Sequence, residues 1–495
     1  MARFEFHAPR IQLTGRPALR GLAFFLNEKR WFFIAMLVGV IAFLAPTPEG
    51  LTREGQIVLT ITIVAVMLFI TEPVPLPSVA LMIIVAQVAL LGIDSSIVAR
   101  SMMSDSVFFI LGSLMLAVAI VKQRLDKRIA FLIIKMTGTK TANVSVGIIA
   151  VSGLMASVIG EHTVAAMMLP VALTLISLVS KDRKQVRGLA AVLLFSIAYG
   201  CSIASIATPS GGARNAIMIG YWREFFFDPF NPETSKFLVS YVKWAIYNYP
   251  LFLVQIPFVA FLLLKVFKPE QKNISRAVVR LREQVEEQGP MKARDWVAIF
   301  GFFMTLMGWI FFSESWGLGT IALVGATFFL IIGLVQWSDV NSGVNWGVVL
   351  LYAAAISLGV QMKDSQAAEW VALSFLKLLG AIGIENGVSL WGAVSLLTTL
   401  TTNAMSNGAA VAVLGPITLD IASMTGESPL RMGFVTTVSS SFAYLTVVGT
   451  PAATIVYSSG YLKSSDFLKA GLWMVIISTI VLLLAAALYW PLIGL

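Results

Sequence analysis

Residues 157–170 read SVIGEHTVAAMMLP and place Gly160, Glu161 and His162 between two apolar helical runs. An acidic side chain at membrane depth costs on the order of 2.5–3.5 kcal/mol on insertion scales, and such residues are usually functional. A polar break inside a membrane-spanning segment is tolerated only where protein buries it or where it lines a cavity. The stretch therefore predicts a binding site near the middle of a membrane.

The composition is that of an integral membrane protein with many spans. Of 495 residues, 58% are hydrophobic and 12% are charged, whereas soluble domains carry about 25% charged residues. The net charge of +9 does not indicate nucleic-acid binding, because the basic residues lie in short loops between apolar runs, as the positive-inside rule describes. The single cysteine, Cys201, excludes an internal disulfide and any cysteine-based metal cluster.

Apolar runs of roughly 16–22 residues, the length that crosses a bilayer, recur along the chain. We expect one large helical bundle in which Gly, Pro or Asn interrupts several segments, so that some are hairpin arms or half-helices. The predicted spans are 31–46, 55–71, 74–92, 107–123, 143–160, 164–180, 188–207, 249–267, 296–314, 319–336, 347–362, 370–400, 409–424, 432–448 and 470–492, with a polar aromatic stretch at 211–248.

Polar segments divide the chain into two halves. Residues 1–30 are predicted to form a basic interfacial segment without a cleavable signal peptide, and 31–264 to form the first membrane repeat. Residues 265–295 are predicted to be a linker to the second repeat, 296–495. Because the first and third of these segments are rich in Lys and Arg, we expect both on the cytoplasmic side.

Three blocks recur in the same order in the two halves. The offset is about 240–246 residues each time, and every half contains one polar tip and one Thr-Pro break. Broken helices at corresponding positions of two halves indicate the binding site of a transporter. The paired blocks are FILGSLMLAVAIVKQ (109–123) with VLLYAAAISLGVQMK (349–363), GEHTVAAMMLP (160–170) with SNGAAVAVLGP (406–416), and AYGCSIASIATPSGG (198–212) with SFAYLTVVGTPAATI (441–455).

These blocks resemble the divalent anion/sodium symporter family, which includes the solute carrier family 13 transporters for dicarboxylates, citrate and sulfate. The resemblance covers about 31–495, and its most specific pieces are AAMMLP, ATPSGGARNAI and SFAYLTVVGTPAATIVYSSG. It implies an all-α polytopic membrane protein with an inverted-repeat ion-transporter-type fold. It further implies two re-entrant hairpins, two broken helices, a scaffold domain, a transport domain that moves like an elevator, and a homodimer.

The resemblance also implies site residues. Family members bind substrate carboxylates at a Ser-Asn-Thr motif on each hairpin tip and hold two sodium ions beside the broken helices. Matched by position, substrate binding falls on Gly160, Glu161, His162, Thr163, Ser406, Asn407, Gly408, Thr208, Pro209, Arg214, Thr450 and Pro451. Possible sodium ligands fall on Ser157, Glu161, Gly211, Asn215, Thr402, Asn407 and Gly449. No catalytic residue is predicted, and no cofactor other than Na⁺ or H⁺ as a coupling ion.

The chain departs from the family pattern at four places. Gly160-Glu161-His162 replaces the first Ser-Asn-Thr, Gly408 replaces the second Thr, Arg214 stands where Pro is usual, and Ala452-Ala453 replaces Pro-Asn. These changes remove hydroxyl and amide oxygens that would bind sodium.

Two side chains at these positions, Glu161 and Arg214, suggest that a charged group replaces a bound sodium ion. We hypothesise that the Arg214 guanidinium takes the electrostatic role of the first sodium ion, held by Glu161 and Asn215. The alternative is a structural Glu161–Arg214 pair that only locks the helix break. His162 either hydrogen-bonds the substrate or exchanges protons with Glu161. The alternative is that His162 is an ordinary hydrogen-bonded core residue without a role in the site.

The sequence thus predicts a secondary active carrier of a small divalent anion in the cytoplasmic (inner) membrane. A dicarboxylate is the first candidate, and sulfate or a sulfonate the next. Coupling to sodium, to protons or to a counter-anion stays open. An ion channel or a membrane enzyme is the competing class, and Glu161–His162 is the only catalytic candidate pair. The expected partners are the anion, the lipid bilayer and a second copy of the chain, with no nucleic acid.

Overall fold

A computed structural model describes residues 28–123, 138–275, 278–279, 291–447 and 449–495. Most of the predicted N-terminal segment 1–30 and much of the linker 265–295 lie outside these residues. Within the described part, all regular secondary structure is helical, and one isolated bridge joins Lys140 to Asn273. The helices of the first half are α1 (Arg30–Leu44), α2 (Arg53–Thr71), α3 (Leu76–Leu91), α4 (Ser95–Met102), α5 (Asp105–Lys122), α6 (Thr141–Ile159), α7 (Glu161–Val179), α8 (Arg187–Ala204), α9 (Ala213–Phe226) and α10 (Tyr241–Phe267).

The second half is helical as well. Its helices are α11 (Ala293–Trp316), α12 (Leu318–Ile331), α13 (Trp337–Gly343), α14 (Trp346–Asp364), α15 (Ala367–Gly380), α16 (Gly387–Ala404), α17 (Asn407–Thr425), α18 (Pro429–Ser439), α19 (Pro451–Tyr457) and α20 (Ser464–Leu484). A π-helical turn at Ala485–Tyr489 extends α20 toward the last described residues.

Among the described residues, ten helices are long and apolar enough to cross a membrane. Most predicted spans agree with a helix to within a few residues, as 55–71 does with α2 and 143–160 with α6. The prediction of an all-helical, multi-span protein is confirmed.

Three predicted spans differ from the helices observed. The run 370–400 is two helices, because the chain turns between α15 and α16 at Gly383 and Gly387, both of which have positive φ. The span 249–267 begins earlier, at Tyr241, where the Ser240 hydroxyl accepts a hydrogen bond from the Lys243 amide and caps α10. Hydropathy alone did not detect either feature, since a glycine turn or a serine cap hardly changes the mean hydropathy of a segment.

The third difference concerns 432–448, which is not one span. Helix α18 ends at Ser439, and the described residues 440–447 and 449–450 form no regular helix before α19 begins at Pro451. The equivalent break in the first half separates α8 from α9, with a short 3₁₀ turn at Pro209–Gly211. Both breaks adjoin the Thr-Pro pairs seen in the sequence.

Two pairs of helices meet at very short joints. Only Gly160 separates α6 from α7, and its φ of +85° is a conformation that other L-residues rarely adopt. Met405 and Ser406 separate α16 from α17. Because α8 is buried along almost its whole length, the first break lies deep in the bundle, beside these joints.

Candidate functional site

Two cavities stand out among the described residues. The larger, of about 330 Å³, lies between α1, α2 and α3 and is lined almost entirely by apolar side chains. The smaller, of about 230 Å³, lies between the two helix joints and contains charged and amide side chains. Chemical recognition of a polar ligand needs convergent polar groups, so we take the smaller cavity as the candidate site.

Three helices of the bundle begin at this cavity. Gly160, Gly212 and Ser406 immediately precede α7, α9 and α17, and all three line it. The first amide groups of a helix lack intrahelical partners and carry partial positive charge. Three such ends around one cavity favour an anion there.

A buried guanidinium joins the two halves of the site. Arg214, on the first turn of α9, is 2% exposed. Its Nη2 donates to the Ser205 hydroxyl, and its Nη1 lies 3.7 Å from Glu161 Oε1. The same Nη1 lies 2.9 Å from the amide of Asn407 on the opposite joint. Arg214 therefore contacts both polar joints at once.

The hydrogen-bond network determines how the Asn407 amide is oriented. With its oxygen toward Arg214, its nitrogen lies 3.0 Å from Gly449 O, 3.1 Å from Ser440 O and 2.9 Å from Thr402 Oγ1, so that its two N–H groups are shared among three acceptors. In the opposite orientation the nitrogen donates to Glu161 at 3.3 Å and the oxygen accepts from the Thr402 hydroxyl at 2.9 Å, but the nitrogen is set against the guanidinium and the oxygen against two carbonyls. The first orientation pairs both the oxygen and the nitrogen of this amide, and it is the one that the guanidinium favours.

The first helix break is held by its own side chains. The Asn215 amide nitrogen donates to Ser205 O and to Thr208 O, each at 2.8 Å. The Thr208 hydroxyl donates to Ser157 O. Asn215, which we expected beside the guanidinium, therefore bonds the backbone of the break, while Ser205 and Asn407 hold Arg214.

The second break is held by a residue that the sequence did not single out. The Asn403 amide donates to Phe442 O at 3.0 Å and accepts from the Leu445 amide at 2.9 Å. The Thr446 hydroxyl donates to the Asn403 carbonyl. The sequence did contain a signal for Asn403, since a polar amide near the end of an apolar helix is unusual.

The predicted site residues divide into two groups. Those that line the cavity are Gly160, Glu161, His162, Pro209, Gly211, Arg214, Ser406, Asn407, Gly408 and Pro451. Those that do not line it are Thr163, Thr208, Thr450, Ser157, Asn215, Thr402 and Gly449. Of these, Thr163 pairs with His162 Nε2 at 3.2 Å, and Thr450 caps α19 by accepting from the Ala453 amide at 3.0 Å.

The wall opposite the joints comes from α5 and α14. It contributes polar atoms of Ser113, Asn345 and Tyr352, and Ser210 adds a hydroxyl from the first break. None was predicted as a site residue, and Ser113 and Tyr352 are single polar side chains inside predicted apolar spans. Within the described residues, no group of three or more His, Cys, Asp or Glu side chains could hold a metal ion.

A bundle of membrane-spanning helices with a polar cavity between helix N-termini is the architecture of a small-solute transporter. The sequence model of the family described as sodium:sulfate symporter transmembrane region matches residues 27–495. The chain belongs to this family, which makes it a membrane transporter rather than an enzyme.

Curated relatives match along nearly the full chain. The sodium-dependent dicarboxylate transporter SdcS of Staphylococcus saprophyticus is 24% identical over 94% of this chain and 93% of its own length. Its namesake from Staphylococcus aureus strain USA300 is 23% identical over 100% of this chain and 98% of its own length.

Two solved structures share the fold. The YdaH transporter of Alcanivorax borkumensis superposes with a TM-score of 0.51 at 12% identity, covering 97% of this chain and 99% of its own. The MtrF structure of Neisseria gonorrhoeae gives 0.53 at 10% identity, covering 94% of each chain.

Proposed function

We propose that this protein is a secondary active transporter of a small divalent anion. A dicarboxylate is the first candidate, and sulfate or a sulfonate the second. The observation that carries the proposal is the convergence of three helix N-termini and the buried Arg214 on one cavity of about 230 Å³. The names of the relatives, which are sodium-dependent dicarboxylate transporters, agree with this substrate class.

Anion recognition would use both joints. A guanidinium presents a planar fork that suits carboxylate, sulfate and sulfonate groups. Ser406, His162 and Tyr352 line the same cavity. Glu161 offsets the positive charge of Arg214, so the helix N-termini supply much of the remaining attraction. Two joints that line one cavity offer two sets of helix N-termini to a ligand with two anionic groups.

Movement of the site would follow the elevator scheme implied by the resemblance. The transport domain would contain α6–α10 and α16–α20, with α6–α7 and α16–α17 as re-entrant hairpins. Helices α1–α5 and α11–α14 would form the scaffold and the contact between two copies. In this arrangement 31–264 and 296–495 are inverted repeats in the inner membrane, and the N-terminus is cytoplasmic.

Proton coupling is the second candidate for the driving ion. It is favoured by one observation, that Glu161 Oε2 has no hydrogen-bond partner among the described residues. A carboxyl oxygen in that state could accept a proton without breaking a contact. Exchange for a counter-anion is the remaining alternative to sodium.

Uptake into proteoliposomes tests the function. Labelled succinate, sulfate and sulfoacetate would be offered separately while sodium, pH and internal anion are varied one at a time. We expect at least one dianion to accumulate above its external concentration. Flux that only follows the gradient of the anion would contradict a secondary active carrier, and no flux of any dianion would contradict the proposed substrate class.

Two variants on helix α7 test whether the anion binds in this cavity. His162→Ala removes a polar group from the cavity wall, and we expect it to raise the KM for the anion. Ser177→Ala changes an exposed position on the same helix and should leave the KM unchanged. Equal effects of the two substitutions would place the substrate elsewhere.

A further inference from the structure

Three oxygens converge beside the joint between α16 and α17. They are the carbonyls of Ser440 and Gly449 and the hydroxyl of Thr402, and all lie within 3.1 Å of one atom of Asn407. Two of them are carbonyls near or within the break between α18 and α19, where regular helix bonds stop. A shell made only of carbonyl and hydroxyl oxygens is the environment that hard cations prefer.

In this protein the shell is already filled by the protein itself. The atom at its centre is the amide nitrogen of Asn407 in the orientation that the guanidinium favours, and its two N–H groups are shared among the three oxygens. The distances of 2.9–3.1 Å are those of ordinary N–H···O hydrogen bonds. A cation could enter only if this amide turned and offered its oxygen instead.

Arg214 prevents that turn. Its Nη1 lies 2.9 Å from the amide oxygen of Asn407, so the reversed amide would set N–H against N–H. Arg214 is itself held by the Ser205 hydroxyl and faces the Glu161 carboxylate. The guanidinium therefore controls which atom of Asn407 faces the oxygen shell.

The first joint does not fit a sodium ion either. The carbonyls of Ser205 and Thr208 accept from Asn215, and the carbonyl of Ser157 accepts from Thr208. Two buried oxygens there have no partner among the described residues, Asn215 Oδ1 and Glu161 Oε2, and the charge of Glu161 is already met by Arg214. A guanidinium beside them repels a second cation at short range. The relatives are named sodium-dependent transporters, but the residues at both joints of this chain do not fit a bound sodium ion.

We infer that Arg214 and the Asn407 amide replace the sodium ions of this site, so that the transporter binds its anion without sodium. The inference rests on the transport function proposed above. Because Arg214 and Asn407 are part of the chain, they stay in the site when it moves back without substrate. They can attract the anion, but they cannot draw energy from a sodium gradient. The driving force must then come from a counter-anion or from protons.

Thermal unfolding of the purified full-length protein tests this without any substrate. The unfolding midpoint would be measured while NaCl replaces choline chloride at constant ionic strength. We expect no sodium-specific shift for the native protein. In Arg214→Met the Asn407 amide is free to turn, and we expect a rise in midpoint that saturates with sodium and is absent with choline. Arg214→Lys keeps the positive charge and should show no such rise.

A saturable sodium-specific stabilisation of the native protein would overturn the inference. So would a folded Arg214→Met variant that does not respond to sodium. If Arg214→Met fails to fold, uptake by the native protein decides, since loss of uptake in choline medium would contradict the inference. The absence of uptake for every dianion, with an unfolding midpoint indifferent to sodium, would instead contradict the proposed substrate class alone.

Discussion

Tyr352 on α14 occupies the space that a side chain at Gly408 would need. A β-carbon built on Gly408 would lie 2.2 Å from Cε1 of Tyr352 and 2.7 Å from its hydroxyl oxygen. The aromatic ring therefore packs against the first turn of α17, and its hydroxyl reaches the edge of the polar cavity. Glycine at position 408 and tyrosine at position 352 therefore depend on each other, because the ring fills the space of the missing side chain.

Gly408→Ala tests this contact. The added methyl forces the ring or the joint to move, and we expect it to destabilise the protein by about 1–3 kcal/mol, as overpacking generally does. Thermal unfolding measures the cost. Tyr352→Ala in the same chain removes the obstacle, so the double variant should be more stable than the sum of the single effects. Gly392→Ala is the control, because its β-carbon would meet only Leu483 at 3.8 Å. Additive effects at 352 and 408 would show that the two do not touch.

Glu161→Gln leaves the Arg214 guanidinium without its charged partner. With less negative charge beside the cavity, we expect the KM for the anion to fall by up to about tenfold, which corresponds to about 1.4 kcal/mol. The same substitution should lower the unfolding midpoint, since a buried charge loses its counterion. Kinetics of uptake over a range of pH measure both the KM and its proton dependence. Glu54→Gln, an exposed change on α2, is the control.

Two outcomes of the Glu161→Gln experiment are informative. If uptake keeps its full pH dependence, proton coupling through Glu161 is wrong. If the KM rises, the carboxylate contributes to binding instead of opposing it.

The Lys363–Asp420 ion pair connects α14 to α17 away from the cavity. The Asp420 side chain is only 4% exposed, and its Oδ2 has no partner among the described residues. Lys363→Met leaves this carboxylate buried without its cation, and we expect a loss of about 3–5 kcal/mol in the free energy of unfolding. Adding Asp420→Asn should recover part of that loss. A single variant as stable as the native protein would show that the pair contributes nothing.

Asp339 provides a test of pH dependence outside the spanning helices. Hydrogen bonds from the Lys122 ammonium and then from the Gln336 amide hold the pKa of its carboxyl below the ordinary value. A carboxyl with a lowered folded-state pKa stabilises the fold above its unfolded pKa of about 3.9. That contribution is lost as pH falls through the folded-state pKa.

The unfolding midpoint should therefore drop less between pH 6 and pH 3 in Asp339→Asn than in the native protein. Glu233→Gln, an exposed change in the loop before α10, should keep the native drop. Equal drops in native protein and Asp339→Asn would contradict a linked titration at this position.

The parts of the fold that hydropathy predicts are those that one local property decides. A span such as 55–71 is visible because roughly twenty apolar residues in a row have no stable place except a membrane or a large core. The Thr208-Pro209 and Thr450-Pro451 pairs mark helix breaks because proline removes a backbone donor. The division of 370–400 and the early start of α10 were missed, because glycine turns and serine caps do not change the mean hydropathy.

The sequence by itself determined the membrane class, the order of the spans and the two polar joints, and with the family resemblance it pointed to Glu161 and Arg214 as neighbours. Only the tertiary structure decided that Arg214 also reaches Asn407, that Asn215 and Asn403 bind the helix breaks, and that Tyr352 covers Gly408. Hydropathy and proline act over a few neighbouring residues and can be recognised along the chain. The contacts of an amide or a guanidinium depend on atoms brought together from distant segments, and their geometry exists only once the helices have packed.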